Sequence, residues 1–114
     1  MWRIVWSVSN LAADALTIIS VRLPHGKFKA AERSFAPAFE LAAGATKEFI
    51  SHVDCDEPAG LVTENAFVII HCQWRGAAWR IFVRIRVKVN AAGAPAAATE
   101  LITTQRIGFS GIPN

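Results

Sequence analysis

The 114-residue sequence predicts an all-β fold, an immunoglobulin-like antiparallel β-sandwich of about seven strands that occupies residues 1–114 as a single domain. Three observations carry this expectation. Apolar residues recur with a period of two along most of the chain, the pattern of strands with one buried face. Clusters of turn-forming residues interrupt that pattern about every ten residues, which suits antiparallel connections and leaves no room for helices between strands. The composition is 53% hydrophobic and 18% charged, too apolar for disorder and of a length that supports one core.

Taken in order, residues 2–8 place Trp2, Ile4, Trp6 and Val8 on one side of a first strand, with Arg3, Val5 and Ser7 on the other. Residues 15–23 read as a second strand. The link at residues 9–14 makes these two a hairpin, closed by Pro24, His25 and Gly26. Residues 27–38 alternate poorly: their alanines favour helix while Pro37 opposes it, so a loop with at most one helical turn is expected. Phe39, Glu40 and Leu41 are strand-like, residues 42–45 form a turn around Gly44, and residues 46–55 form a strand stopped by residues 56–60. Residues 67–74 and 79–89 make the clearest pair, a hairpin joined through Arg75, Gly76, Ala77 and Ala78. After a flexible loop at residues 90–95, residues 99–107 supply the last strand.

Within the central hairpin, setting Trp74 opposite Trp79 brings Cys72 to Ile81, Ile70 to Val83 and Val68 to Ile85, all apolar on one face. The expected core is therefore Trp2 or its neighbours, Ile18 or Ile19, Val68, Ile70, Cys72, Trp74, Trp79, Ile81, Val83, Ile85 and Val87. The opposite face receives Phe67 across from Arg86, Ile69 across from Arg84 and His71 across from Phe82. A mixture of aromatic, aliphatic and arginine side chains is the composition of an interface core and not of a solvated sheet face. We therefore expect a non-enzymatic interaction module that self-associates or docks a protein partner through Phe67, Ile69, His71, Phe82, Arg84 and Arg86.

An alternative uses the same strand differently. Arg80, Arg84, Arg86 and Lys88 form a row suited to an anionic ligand or nucleic acid. A net charge of +3 with an isoelectric point of about 9.3 is mild for a nucleic-acid binder, Phe82 alone is interleaved for stacking, and Glu100 is expected opposite Lys88 as an offset. A third reading is a carbohydrate-binding module that uses Trp74 and Trp79, although paired tryptophans beside a hairpin turn are more simply core packing.

Other chemistry finds little support. His52, Asp54, Cys55, Asp56 and Glu57 lie together, but His71 and Cys72 point to opposite faces of a strand and cannot complete a zinc site; the 54–57 run also lacks the ligand spacing of a calcium loop. Ser51 and His52 likewise face opposite ways, and the Gly108-Phe109-Ser110-Gly111 sequence fails as a nucleophile elbow because Ile112 stands where glycine is required. The glycines sit singly in turns, so no phosphate-cradling loop is read. No catalytic residues, metal or cofactor are expected. The mean hydropathy is +0.31, yet charged residues break every apolar run before the ~18 residues of a membrane helix. The first residues lack the basic and apolar regions of a secretory leader, and Cys55 and Cys72 are too few for a disulfide scaffold, so a cytoplasmic setting with no membrane association is expected, while the sequence leaves open whether the two cysteines are bridged. With no tyrosine and closely spaced cysteines, the immunoglobulin likeness is one of architecture only.

Overall fold

A computed structural model describes residues 2–25, 28–55 and 57–106. Seven strands make up nearly all of it: β1 (Trp2–Ser9), β2 (Leu16–His25), β3 (Phe28–Leu41), β4 (Thr46–Cys55), β5 (Val62–Trp74), β6 (Ala77–Val89) and β7 (Pro95–Arg106). They pair in the order β1-β4-β3-β2-β5-β6-β7, every pair antiparallel, in a sheet curled into a half-barrel. Strands β2, β3 and β4 follow one another across the sheet and β5 returns beside β2, the connectivity of a Greek key. No helix among the described residues is long and apolar enough to cross a membrane. Gly26, Asp56, Ile107 and residues 108–112, which the sequence reading assigned to a turn, an acidic run, a strand end and a failed elbow, lie outside the described residues.

The concave side of the half-barrel holds the core. Ile18, Val21 and Leu23 of β2, Val53 of β4, Val68 of β5, and Ile85 and Val87 of β6 are at most 2% exposed, with Phe49, Leu41 and Ile70 packed among them. Burying each such side chain contributes about 1.5–3 kcal/mol, so this inward stripe supplies the main driving force. Ile18, Val68, Ile70, Cys72, Ile85 and Val87 match the expected core; Trp2, Trp74, Trp79, Ile81 and Val83 are only half-buried, and Val21, Leu23, Leu41, Phe49 and Val53 join it unforeseen.

Three connections depart from the sequence reading. The expected hairpin of β1 with β2 does not form, because β1 pairs with β4 along its whole length, from Trp2 opposite Val53 to Ser9 opposite Thr46. Asn10 shows why. It is 5% exposed; its amide nitrogen donates to the carbonyls of Asp14 and Leu41, its Oδ1 accepts from the Ala12 N–H, and its own backbone bonds to Ala45 and Gly44. These bonds fasten the end of β1 to the β3–β4 turn and away from β2.

The second departure lies within residues 27–38, where a loop was expected: residues 28–38 form most of β3, and Lys27 lies outside the described residues. Leu16, Thr17 and Ile18 pair with Leu41, Glu40 and Phe39, then the register breaks and resumes at Ser20 opposite Ser34. Pro37 falls inside that break, where no ladder hydrogen bond is asked of its missing N–H. Pairing with β2 supplied what the alanine-rich sequence did not advertise.

The third concerns the β5–β6 hairpin. Its loop has two residues, Arg75 and Gly76, with φ of 51° and 72°, the positive pair that a tight right-twisting hairpin turn requires. Trp74 therefore faces Ala77, Cys72 faces Trp79, Ile70 faces Ile81 and Val68 faces Val83. The register is two residues away from the expected one. A shift of two keeps every side chain on its expected face, so Val68, Ile70, Cys72 and Ile85 still point into the core.

Candidate functional site

On the convex side, β2, β5, β6 and β7 present three cross-strand rows. Arg22, Ile69, Phe82 and Thr103 form one; Phe67, Arg84 and Leu101 form the next; Ser20, His71, Arg80 and Gln105 form a third. The expected partners on this face shift by two accordingly, so that Phe67 meets Arg84 in place of Arg86, Ile69 meets Phe82 in place of Arg84, and His71 meets Arg80 in place of Phe82. The six residues expected to form an interaction face do share it.

Their exposures differ, and that sharpens the site. Phe67 is 36% and Leu101 47% exposed, and the Phe67 ring meets Phe82 edge-on with centroids 6.4 Å apart. Ile69, although it points outward, is only 8% exposed. Its cross-strand neighbours are the long side chains of Arg22 and Phe82, and the aliphatic stem of an arginine shields apolar surface while its charged end reaches water. In both Arg22 and Arg84 the Nε is shielded from solvent with no hydrogen-bond partner among the described residues. A desolvated donor of this kind is costly alone and favours an acceptor brought from outside.

Beside this apolar patch runs a polar chain. Ser20 Oγ donates to Glu32 Oε2 at 2.8 Å, the same oxygen lies 3.9 Å from His71 Nδ1, and Arg80 Nε donates to His71 Nε2 at 3.4 Å. Because Nε2 accepts, the imidazole proton belongs on Nδ1, facing Glu32. The arrangement holds His71 and Arg80 in place. The Ser20 hydroxyl is directed at the Glu32 carboxylate, and the residue is 3% exposed. Glu32 escaped sequence reasoning because it lay in a segment not recognised as a strand.

The basic row of β6 also shares this face. Arg86 lies 3.6 Å from Glu64, and Arg80 is engaged with His71. Lys88 faces Ala96; Glu100 does not oppose it, contrary to expectation, but falls in the register break between Thr99 and Leu101. Less of the row's charge is offset across the ladder as a result.

At the hairpin end, Trp74 and Trp79 are diagonal neighbours whose rings meet edge to face at 5.7 Å. The Arg75 guanidinium, ion-paired to Asp14 at 2.6 Å, lies 4.3 Å from the Trp74 centroid. It occupies a ring face that a sugar would need. Ser51 is buried while the adjacent His52 is exposed, so they face opposite ways, and no group of three His, Cys, Asp or Glu side chains gathers among the described residues. Cys55 and Cys72 are both free thiols.

No protein-family model, no curated protein and no solved structure matches this chain.

Proposed function

We propose that this protein is a non-enzymatic interaction module that docks a second copy or another protein through the convex face of β5 and β6. The observation that carries the reading is the Phe67–Arg84–Leu101 row with Phe82 beside it. Two exposed apolar side chains flank an arginine whose Nε is shielded from solvent and has no hydrogen-bond partner among the described residues. Aromatic and arginine side chains at the desolvated centre of a patch are the residues that dominate binding energy at protein interfaces. Ile69 serves as the floor of the patch, while Phe67, Phe82, His71, Arg84 and Arg86 make its contact surface.

The same proposal extends to setting and architecture. A reducing, cytoplasmic environment suits two free thiols. An immunoglobulin-like sandwich is supported by the Greek key and by the way β4 parts from β3 after two residue pairs, so that the β1–β4 pair folds over the sheet. Trp6 of β1 and Phe49 of β4 then line one cavity of about 430 Å³ together with Val68, Ile81 and Ile102 of β5, β6 and β7.

Light scattering after size exclusion tests the self-association branch: a dimer or larger species is expected, and Phe67→Asp with Arg84→Asp should reduce it to monomer. A monomer at all concentrations, with no partner lost when these residues are changed, would overturn the reading. The second reading, an anionic ligand or nucleic acid on Arg80, Arg84, Arg86 and Lys88, gains from the absence of Glu100 opposite Lys88. Binding to a polyanion that weakens steeply with salt and disappears in Arg84→Ala/Arg86→Ala would favour it.

A further inference from the structure

The sheet has a gap. Among the described residues, strands β3 and β4 are hydrogen-bonded neighbours only at Phe28 opposite Cys55 and Lys29 opposite Asp54, and from there they diverge. Between them opens a cleft of about 550 Å³, whose lining includes none of the convex-face residues named above. Small-molecule sites typically measure about 300–1,000 Å³.

Its lining combines two chemistries. Phe35, Phe39 and Phe49 form an aromatic cluster, with Phe35 edge-on to Phe39 at 4.9 Å and to Phe49 at 5.8 Å. Arg3 from β1, Arg33 from β3 and Lys47 from β4 bring three cations to the same cleft, against Glu48 as the single carboxylate among its lining residues. The Arg33 guanidinium carbon and the Lys47 Nζ each lie 5.1 Å from a phenylalanine centroid, those of Phe35 and Phe39. Arg33 also spans the gap, donating from Nη1 to the Ile50 carbonyl at 2.7 Å, which holds the cleft walls at a fixed spacing. None of the three cations is ion-paired among the described residues.

We propose that this cleft binds a small anion with a flat apolar body, a class that includes nucleoside monophosphates and aromatic carboxylates or sulfonates. The body packs on the ring surface that Arg33 and Lys47 leave free on Phe35 and Phe39, and the negative group is held by Arg33, which spans the gap, with Arg3 or Lys47 reaching it from either end of the cleft. Charge excess selects the anion, since beside an apolar floor an ion pair is screened less than on open surface. Cations already seated against aromatic rings lose little freedom when the ligand arrives. The site is separate from the convex face and stands or falls independently of it.

Fluorescence titration of the full chain with 8-anilinonaphthalene-1-sulfonate tests the proposal. Saturable binding is expected, weakened at least tenfold in Arg3→Gln/Lys47→Gln and unchanged in Arg75→Gln, an exposed cation at the β5–β6 turn. The uncharged N-phenyl-1-naphthylamine should bind at least tenfold more weakly than the sulfonate. Circular dichroism confirms folding of each variant, and Lys47→Gln alone, an exposed side chain, gives a smaller loss in the same direction. Displacement of the dye by adenosine 5′-monophosphate identifies a nucleotide site; displacement by 2-naphthoate alone identifies an aromatic acid site. Equal binding of the charged and uncharged probes, an unaffected double variant, or displacement by neither competitor would overturn the proposal.

Discussion

Cys72 lies directly across the β5–β6 ladder from Trp79, and its thiol donates to the Trp79 carbonyl at 3.7 Å. The residue is 2% exposed, and burial pushes its pKa from 9.0 up to about 11, because the thiolate would lose its hydration inside the half-barrel. A thiol held protonated in this way is a weak nucleophile.

Alkylation at neutral pH should therefore modify Cys55, which is half-buried, well before Cys72, which should react only at the rate of unfolding. Mass spectrometry of peptides after timed iodoacetamide treatment measures the ratio. Equal rates at the two positions would show that Cys72 is open to solvent.

The same shift makes stability depend on pH. The folded chain holds the Cys72 proton more tightly than the unfolded chain, so this contribution is intact below about pH 9 and is lost as pH rises toward 11. Two pKa units correspond to roughly 2–3 kcal/mol. Denaturant titrations between pH 8 and 11 should show the fall in the natural protein, with the Cys72 share absent in Cys72→Ala.

Asn10 should be the most sensitive polar position. Asn10→Ala leaves the Leu41 carbonyl and the Ala12 N–H without side-chain partners and should cost about 2–3 kcal/mol. Asn10→Asp is more informative, because a carboxylate cannot donate to the Asp14 and Leu41 carbonyls. Its charged form is disfavoured there, so the variant should regain stability as pH falls, which thermal melts at pH 4 and pH 7 would detect.

Gly76 has φ of 72° and open space where a Cβ would point. Gly76→Ala should therefore destabilise by about 1–2 kcal/mol through backbone strain alone, without a clash. A change of the same size in Ala78→Gly would point to a general loss at the hairpin end and not to the turn conformation.

Adjacent residues on β6 distinguish its two faces. Ile85, fully buried, should not tolerate Asp, since an unpaired charge in the core costs several kcal/mol and the domain should unfold. Arg84→Asp should fold normally and change association. Equal damage from the two substitutions would contradict the convex placement of Arg84.

The β5–β6 hairpin was legible in the sequence because alternation is a local signal: residues 79–89 name their own faces whatever they pair with. Even the two-residue error in register left Val68, Ile70 and Ile85 inside and Phe67, Phe82 and Arg84 outside. The basic row of β6 was legible for the same reason. Residues 27–38 were not, since alanine carries almost no facial preference, and with them went Glu32, Arg33 and Phe35, hence both the His71 network and the β3–β4 cleft.

By itself, then, the sequence determined that the chain is a run of antiparallel strands and which side of most strands is apolar, because side-chain alternation follows from backbone geometry alone. Which strand lies beside which was decided only in three dimensions. Pairing β1 with β4 and returning β5 to β2 are choices among distant partners, set by where Asn10 finds its carbonyls and by how the curled sheet buries Ile18, Val53 and Ile85 together. That long-range pairing also decided that Arg3, Arg33 and Lys47, far apart along the chain, line one cleft.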